Sequence, residues 1–324
     1  MKKKENSILS AVVARPEMGV LLPMAILLIV IGCVNSDFFA FNNIIDILRS
    51  SSYTFIIAAP LTLLMISGGM DLSIASATAL GCVVCAWGIA EFRLGILPSI
   101  LLALAAGALV GLIKAVLVVT FNLPAFIITL GLTKIVNSFI LVTTDGIAVS
   151  NLNCPEFKQL GQGKLGPVFW TIIIAVLIGV GMHVLLNNTR LGREIAACGG
   201  NRETAKLAGI NVTKTRYIVE VLVSVFCALC GVCMCSRFYS GQTAAGSGTE
   251  LTIMAAVIIG GTSMMGGTGT IWGSFLGCLL LAIINNGLVL MRVSTNWQNM
   301  IFGIILVISL FIDRYRRTKT GGGL

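Results

Sequence analysis

Residues 187–216 read NNTRLGREIAACGGNRETAKLAGINVTKTR and form a long polar interval between two groups of apolar segments. The interval holds six of the chain's 22 Lys and Arg residues and is punctuated by Gly199, Gly200 and Gly209. The pieces between these glycines have the composition of short helices. Asn201 is a good N-cap, and Glu203 suits the first turn that follows it. The stretch therefore predicts a folded, basic, two-helix loop that docks on something in the cytoplasm.

The chain on both sides of this loop is strongly apolar. Of its 324 residues 56% are hydrophobic and 11% charged, and the mean hydropathy is +0.98. Only helices or closed barrels satisfy backbone hydrogen bonds in lipid, and the apolar runs lack barrel alternation. The predicted fold class is all-α, a polytopic transmembrane helical bundle with about ten spans in a single domain over residues 1–324.

The apolar runs give approximate boundaries for the spans. The eighth run is short enough to be a half-span extended by its flanks. The predicted spans cover about residues 19–34, 44–67, a third ending near 90, 96–120, 125–142, 168–186, 217–235, 251–259, 271–291 and 298–312.

The distribution of basic residues predicts the orientation. Fourteen of the 22 lie in three places: residues 2–15, the loop at 187–216, and residues 314–319. By the positive-inside rule both termini and the loop are cytoplasmic. Because no soluble region remains to present a groove, the same distribution argues against nucleic-acid binding.

Two glycine-rich breaks interrupt the apolar segments. SGGMDLSIAS covers residues 67–76 and GGTSMMGGTGT covers residues 260–270. In the first, Asp71 and Ser73 are expected to cap the following helix. The breaks are either turns at the membrane surface or re-entrant segments. Their similar flanking sequences fit internal duplication or chance likeness between glycine-rich apolar segments.

The sequence offers no catalytic constellation and no clear metal site. A Walker A loop, HExxH, G-x-S-x-G and paired carboxylates at helical spacing are all missing from the sequence, so the chain is predicted not to be an enzyme. Cys227, Cys230, Cys233 and Cys235 lie in an apolar span with no His or acidic cluster near them, which favours packing over metal binding. His183 is interpreted as structural.

Ionisable and polar residues within the spans are candidates for function. Lys114 is expected to snorkel to the inner surface, whereas Lys134 is deeper and needs a partner, for which Asp71 is a candidate. Neutral polar groups in the spans either line a path for an uncharged, hydroxyl-rich solute or bond one helix to another. The candidate path residues are Asp71, Ser73, Asn122, Thr129, Asn137 and Asn286.

Five segments in sequence order resemble the permease subunits of ribose-type ABC sugar importers. They are SGGMDLSIAS, LPAFIITLG, TRLGREIAACGGNRETAKLAGINV, ELTIMAAVIIGGTSMMGGTGTIWGSFLG and NNGLVL. The resemblance runs through nearly the whole chain. It implies a subunit of the bacterial plasma (inner) membrane that moves a ribose-like pentose or a hexose.

The resemblance also implies a set of partners. Two permease copies, identical or different, would form the pore in the lipid membrane, and a periplasmic or lipid-anchored solute-binding protein would deliver the solute. Two ATPase subunits would hold the ATP and Mg²⁺, which leaves this chain without a cofactor of its own. The loop would fit a groove on each ATPase through Arg190, Gly192, Arg193, Ala197, Gly199, Gly200, Asn201, Ala205 and Gly209.

Two departures from the family pattern bear on the solute. Lys114-Ala115 stands where many relatives have Asn-Gly, and Asn137-Ser138 stands where they often have Arg-Gly. A nucleoside or another non-sugar solute is therefore the alternative cargo. An ion-coupled secondary transporter is the alternative mechanism, although such proteins use intramembrane carboxylates that are scarce here.

Overall fold

The computed structural model describes residues 18–294, 296–298, 300, 301, 303, 304 and 307, and almost all of its regular structure is helical. Residues 18–294 contain twelve α-helices, and the described residues from 296 onward are helical as well. The twelve are α1 (Met18–Val34), α2 (Phe41–Ile66), α3 (Ile74–Ala90), α4 (Ile96–Ala115), α5 (Ala125–Thr144), α6 (Lys158–Gln162), α7 (Trp170–Asn188), α8 (Arg190–Gly200), α9 (Arg202–Leu207), α10 (Val212–Phe238), α11 (Glu250–Ile259) and α12 (Ile271–Leu290).

The remaining regular structure is short. A π-helical turn, Val116–Thr120, extends α4, and 3₁₀ turns cover Ser36–Phe39 and Pro155–Phe157. Two strands, β1 (Lys164–Leu165) and β2 (Val168–Phe169), form an antiparallel hairpin before α7.

Six helices are long and apolar enough to cross a membrane: α2, α4 with its extension, α5, α7, α10 and α12. Three shorter apolar helices, α1, α3 and α11, match the other predicted runs before residue 291. The prediction of an all-α polytopic membrane protein is confirmed. The tenth predicted span, residues 298–312, lies largely outside the described residues.

Helix α10 runs through the middle of the bundle and packs against α2, α3 and α4. Small residues let the backbones approach closely, because a β-carbon added to Gly81 would lie 2.5 Å from the Cα of Ala228. One added to Gly231 would lie 2.0 Å from the carbonyl oxygen of Thr78. The buried cysteines of α10 pack in this region. No group of three or more His, Cys, Asp or Glu able to hold a metal occurs among the described residues.

The bundle has two distinguishable ends. At the loop end, α8 meets the C-terminus of α2, and Thr120 bonds Tyr217 in the first turns of α10. At the far end, a bridge between Val149 and Gly241 joins the long connection after α5 to the segment after α10. The positive-inside prediction makes the loop end the cytoplasmic one.

The first glycine break enters the bundle. The Thr133 hydroxyl donates a hydrogen bond to the Leu72 carbonyl over 3.1 Å. Thr133 is the ninth residue of α5, so Leu72 lies about 12 Å from the start of that helix at 1.5 Å per residue. By contrast, the second break stays at the loop end, where the Gly267 amide donates to the Ile66 carbonyl over 2.8 Å.

A third irregular segment, residues 241–249, enters from the far end. Gly241 packs beside Val83 and Ala86, and Gly246 lies beside Thr78, which is closer to the start of α3. Helix α11 therefore begins inside the bundle, and its 10 residues cover about 15 Å, half of a hydrocarbon core. This fits the half-span interpretation of the eighth apolar run.

Candidate functional site

The loop between α7 and α10 contains the two short helices that its sequence predicts. Each helix start has a polar cap: Thr189 Oγ1 accepts from the Gly192 amide over 3.2 Å, and Asn201 Oδ1 accepts from the Thr204 amide over 3.0 Å. These bonds satisfy amides that a helix N-terminus would otherwise leave without partners. The N-cap prediction for Asn201 is confirmed.

One face of this loop packs on the rest of the protein. Ile195 is buried in the main core, while Cys198, Ala205 and Val212 form a small apolar cluster against which Ala197 packs. Burial raises the pKa of the Cys198 thiol, and the nearby Glu194 carboxylate raises it further. This segment, residues 187–216 with helices α8 and α9 (the α8–α9 loop), is therefore an ordered part of the structure.

Glycines lie where this face of the loop comes closest to the backbone of the neighbouring helices. A β-carbon on Gly192 would lie 2.0 Å from the Leu186 carbonyl oxygen, and one on Gly199 would lie 1.7 Å from the Ile66 carbonyl oxygen. Gly266 and Gly267 of the second break pack on Gly199 and Gly200. This glycine junction, formed by residues 66–68, 199–200 and 266–267, brings α8 into contact with both glycine breaks.

The opposite face of the loop is exposed and basic. Leu207 is 89% exposed at the end of α9, and a β-carbon on Gly200 or Gly209 would meet no atom within 4 Å. The Arg202 guanidinium reaches the Gly68 carbonyl over 3.4 Å, and Arg190 pairs with Glu194 over 2.8 Å. The exposed basic residues of the loop are Arg190, Arg193, Arg202, Lys206 and Lys214.

Four charged residues form a buried ion cluster inside the helical bundle: Asp71, Lys114, Arg216 and Glu220. Lys114 pairs with Asp71 and, over 3.3 Å, with Glu220, while Arg216 lies 4.0 Å from Glu220. Lys114 and Glu220 are fully buried.

The cluster corrects two sequence-based predictions about Lys114 and Asp71. The snorkelling interpretation of Lys114 is wrong, since two carboxylates hold its ammonium group inside the bundle. Asp71 does not cap α3 directly. It accepts the amide and the hydroxyl of Ser73 over 2.7 and 2.6 Å, and the Ser73 side chain makes no cap bond of its own.

Sequence reasoning missed Glu220 and Arg216 as members of this cluster. The signal was available, because a carboxylate inside an apolar run with a cation four residues earlier is a pair on one helix face. The pairing of Lys114 with Glu220 could not be inferred from the sequence, because α4 and α10 are about a hundred residues apart in the chain.

The proposed pairing of Lys134 with Asp71 is also wrong, because Asp71 pairs with Lys114. Lys134 is exposed at the tenth residue of the 20-residue helix α5. It borders a shallow groove of about 470 Å³ together with Ile135, Ser138, Phe139 and Val142. Helix α5 is also the least covered of the six long helices, with 22% of its apolar window buried against 78% for α2.

The predicted path residues separate into different places. Asn137 borders a cavity of about 140 Å³ between α3, α5 and the segment that enters from the far end. Thr129 bonds back to the Ala125 carbonyl within its own helix, and Asn122 is exposed at the loop end with a φ of +51°. The other residues lining the cavity are Ala75, Ala79, Leu141, Thr243, Ala244, Ala245 and Ser247.

Asn286 is part of a bond between two helices. It exchanges reciprocal amide hydrogen bonds with Asn43, over 2.7 and 3.0 Å, and thereby joins α12 to α2. Of the two roles considered for polar groups in the spans, Asn286 therefore has the second, which is to bond one helix to another. Among the six predicted path residues, Asn137 alone lines the cavity between the irregular segments.

Comparison with known proteins connects this architecture to a family. The family model described as "Branched-chain amino acid transport system / permease component" matches residues 43–310 of the chain. The chain belongs to this family. The expected resemblance to ribose-type permeases is confirmed as well, and the bundle with its docked loop is that of a multi-pass membrane permease component.

Several permeases are similar to this family member over nearly its whole length. The ribose import permease of Escherichia coli K12 is 34% identical over 300 residues, 92% of this chain and 93% of the relative. A probable ABC transporter permease of the same strain is 33% identical, covering 92% and 89%. The fructose import permease of Rhizobium meliloti is 32% identical, covering 92% and 85%. No solved structure matches the chain.

Membership in this family indicates which part of the transport system this chain supplies. A permease component of an ABC importer is the membrane part of the system, and ATP hydrolysis belongs to a separate subunit. The chain is therefore a transport subunit and not an enzyme, and its partners include an ATPase and a solute-binding protein.

Proposed function

We propose that this permease component imports a sugar, a ribose-like pentose or a hexose, across the bacterial plasma membrane, with force delivered by the ATPase through the α8–α9 loop. The observation that carries the proposal is the docking of this loop on both glycine breaks at once. The similarity to ribose and fructose import permeases supports a sugar as cargo.

The proposed topology has about ten spans with both termini and the loop on the cytoplasmic side. The described residues contain nine apolar helices, six long and three shorter, and residues 298–312 would supply the tenth span. An even number of spans returns the C-terminus to the side of the N-terminus. The basic residues at 2–15 and 314–319 then share one side with the loop.

The coupling contact is the exposed face of the loop. Arg190, Arg193 and Arg202 are exposed on the same loop as the exposed Leu207, which suits a groove with an apolar floor and acidic rim. Gly192 and Gly199 face the helical bundle, whereas Ala205 and Ala197 belong to the small apolar cluster within the loop. Asn201 lies between the two helices and caps the start of α9. No atom of this chain lies near the β-carbon positions of Gly200 and Gly209, which leaves room there for the ATPase.

The proposed solute path passes through the cavity beside Asn137. Irregular backbone at membrane depth is tolerated where it lines a cavity or is covered by protein, and two such segments approach α3 from opposite ends. The lining offers one amide and two hydroxyl side chains, from Asn137, Thr243 and Ser247, with no charge. An uncharged, hydroxyl-rich solute matches these groups.

The second permease copy is proposed to cover the exposed face of α5. A charged side chain in the middle of a span costs at least ~2.5 kcal/mol in lipid, so Lys134 is poorly placed against hydrocarbon. A second copy, identical or different, would enclose this face and leave Lys134 beside water between the subunits. The connections at the far end would then receive the solute-binding protein.

The test is ATP-driven uptake in proteoliposomes that contain the permease, its ATPase and its binding protein. We expect uptake of a sugar from a panel of pentoses, hexoses and nucleosides that requires hydrolysable ATP. Nucleoside uptake alone would replace the sugar by the alternative cargo. Uptake driven by an ion gradient without ATP would contradict the importer.

Variants in the same vesicles test the loop. Arg193→Glu, Arg202→Glu and Gly200→Pro are each expected to abolish uptake while the protein stays in the membrane. Arg93→Glu, a charge reversal at an exposed residue of the far end, is the matched control for folding and assembly, and it should stay in the membrane and bind the ATPase like the native chain. Normal uptake by all three loop variants would exclude the loop as the coupling element.

A further inference from the structure

Lys114 connects three separate elements inside the bundle. Its ammonium group pairs with Asp71 in the first glycine break and lies 3.3 Å from Glu220 on α10, and it donates to Ser224 on the same helix over 3.1 Å. Lys114 itself belongs to the last turn of α4. A single buried side chain therefore ties α4, α10 and the break together.

The ion cluster continues to the α8–α9 loop. The Thr215 hydroxyl donates to Glu194 on α8 over 3.1 Å, and the next residue, Arg216, is the cation 4.0 Å from Glu220. A chain of polar contacts thus runs from α8 through the first turns of α10 to Lys114.

The other end of this chain reaches the cavity. Asp71 holds the amide and hydroxyl of Ser73, the N-cap position of α3. Ala75, two residues further along, lines the cavity beside Asn137. A shift of Asp71 would therefore move the start of the helix that forms one cavity wall.

The charges of the cluster suggest movement rather than simple stabilisation. Buried ion pairs contribute little net stability, because desolvation offsets their attraction. Glu220 lies between two cations at unequal distances, 3.3 Å from Lys114 and 4.0 Å from Arg216. Each oxygen of this carboxylate faces a different cation, so a small displacement can tighten one pair at the expense of the other. Such an exchange would give the cluster the two arrangements that a switching element needs.

We propose that Lys114 is a positioning residue that transmits movement of the α8–α9 loop, through Glu220 and Asp71, to the start of α3. The inference rests on the proposed coupling role of the loop. When the ATPase displaces α8, the Glu194–Thr215 contact moves the first turns of α10, and Glu220 shifts between Arg216 and Lys114. This shift of Glu220 changes the ion pair between Lys114 and Asp71, and Asp71 then moves the cavity wall at Ala75.

The central variant is the double substitution Asp71→Asn with Lys114→Met. It removes one negative and one positive charge together, so Glu220 keeps Arg216 as its counter-ion and no charge is left without a partner. We expect it to assemble with the ATPase and to hydrolyse ATP within twofold of the native complex, but to import at least tenfold less solute per ATP. Native import per ATP would overturn the proposal and leave the cluster a structural feature.

A second pair of variants keeps the test decisive if the double variant does not assemble. Thr215→Val removes the contact with Glu194 without burying a new charge, and Lys114→Arg keeps the cation. We expect import per ATP to fall at least threefold for Thr215→Val and to be partly retained for Lys114→Arg. Unchanged import by Thr215→Val would contradict the proposal.

Arg193→Glu separates this inference from the function on which it rests. We expect this loop variant to lose ATPase binding, whereas the cluster variants keep it. If Arg193→Glu binds the ATPase and imports normally, the coupling role of the loop fails. If Arg193→Glu is defective and both cluster tests are normal, the transmission role alone fails.

Discussion

Gly199 lies so close to Ile66 that a β-carbon on the glycine would stand 1.7 Å from the Ile66 carbonyl oxygen. The same carbonyl accepts the Gly267 amide over 2.8 Å. One backbone oxygen at the end of α2 is thus the meeting point of the first break, the second break and α8. Movement of the loop cannot occur without moving at least one of the two breaks or separating this contact.

Substitution of the two adjacent glycines of α8 should have opposite results. Gly199→Ala forces the loop away from Ile66, and such overpacking typically costs about 1–3 kcal/mol. We expect uptake to fall at least tenfold with a lower melting temperature. A β-carbon in Gly200→Ala meets no atom of this chain within 4 Å, so the melting temperature should stay unchanged or rise, by up to ~1 kcal/mol of stability. Equal behaviour of the two variants would contradict the close packing at Gly199.

Thiol labelling should report whether the loop is docked. The pKa of Cys198 is raised by burial, so its thiol is neutral at pH 7, and maleimide reacts with the thiolate. We expect slow labelling of Cys198 at pH 7, because the thiol is buried as well as protonated. A cysteine introduced by Leu207→Cys, at an 89% exposed position, should react quickly and become protected by bound ATPase. Fast labelling of Cys198 in the intact complex would show that the loop is not docked.

Two asparagines of the predicted path should behave differently when replaced by leucine. Asn137→Leu removes an amide from the cavity, and we expect at least tenfold weaker uptake with an unchanged melting temperature. Asn286→Leu breaks the reciprocal bonds with Asn43 and should cost about 1 kcal/mol of stability while solute preference stays the same. A change of solute preference in Asn286→Leu, with none in Asn137→Leu, would move the path away from the cavity.

Cross-linking tests the proposed contact between permease copies. Gly131 lies on the exposed face of α5 with no atom near its β-carbon position. In a background with Cys33 and Cys154 replaced by serine, Gly131→Cys should form a covalent dimer under mild oxidation. Val176→Cys, on the exposed side of α7, is the matched control and should remain monomeric. A cross-link through Val176→Cys alone would place the second copy on another face.

The sequence was sufficient for the helices and for the loop. Apolar run length, glycine punctuation and cap residues are local signals, and α2, α4, α5, α7 and α12 begin and end within a few residues of the predicted runs. Helix α10 starts earlier than expected, at Val212, because Asn211 caps its first turn and Val212 packs beside Cys198. Asn201 was recognisable as a cap because its bond to Thr204 spans only three residues.

Partners of the ionisable groups could not be predicted in this way. Lys114, Asp71 and Glu220 come from three elements far apart in the chain, and helical periodicity does not say which neighbouring helix a side chain meets. The snorkelling interpretation failed for this reason, since a lysine near a helix end looks the same whether water or a carboxylate receives it.

What the sequence determined by itself is the class of the molecule: a helical membrane bundle with a basic loop, recognisable as an importer permease from residue types and their order. These properties depend on transfer of local segments into lipid and on nearest-neighbour capping. Only the tertiary structure decided that both glycine breaks meet α8 at Ile66, that Lys114 is enclosed by two carboxylates, and that Asn137 faces a cavity while Asn286 bonds another helix. These contacts depend on how the helices pack against one another, which is set by the shapes of whole faces and not by any single segment.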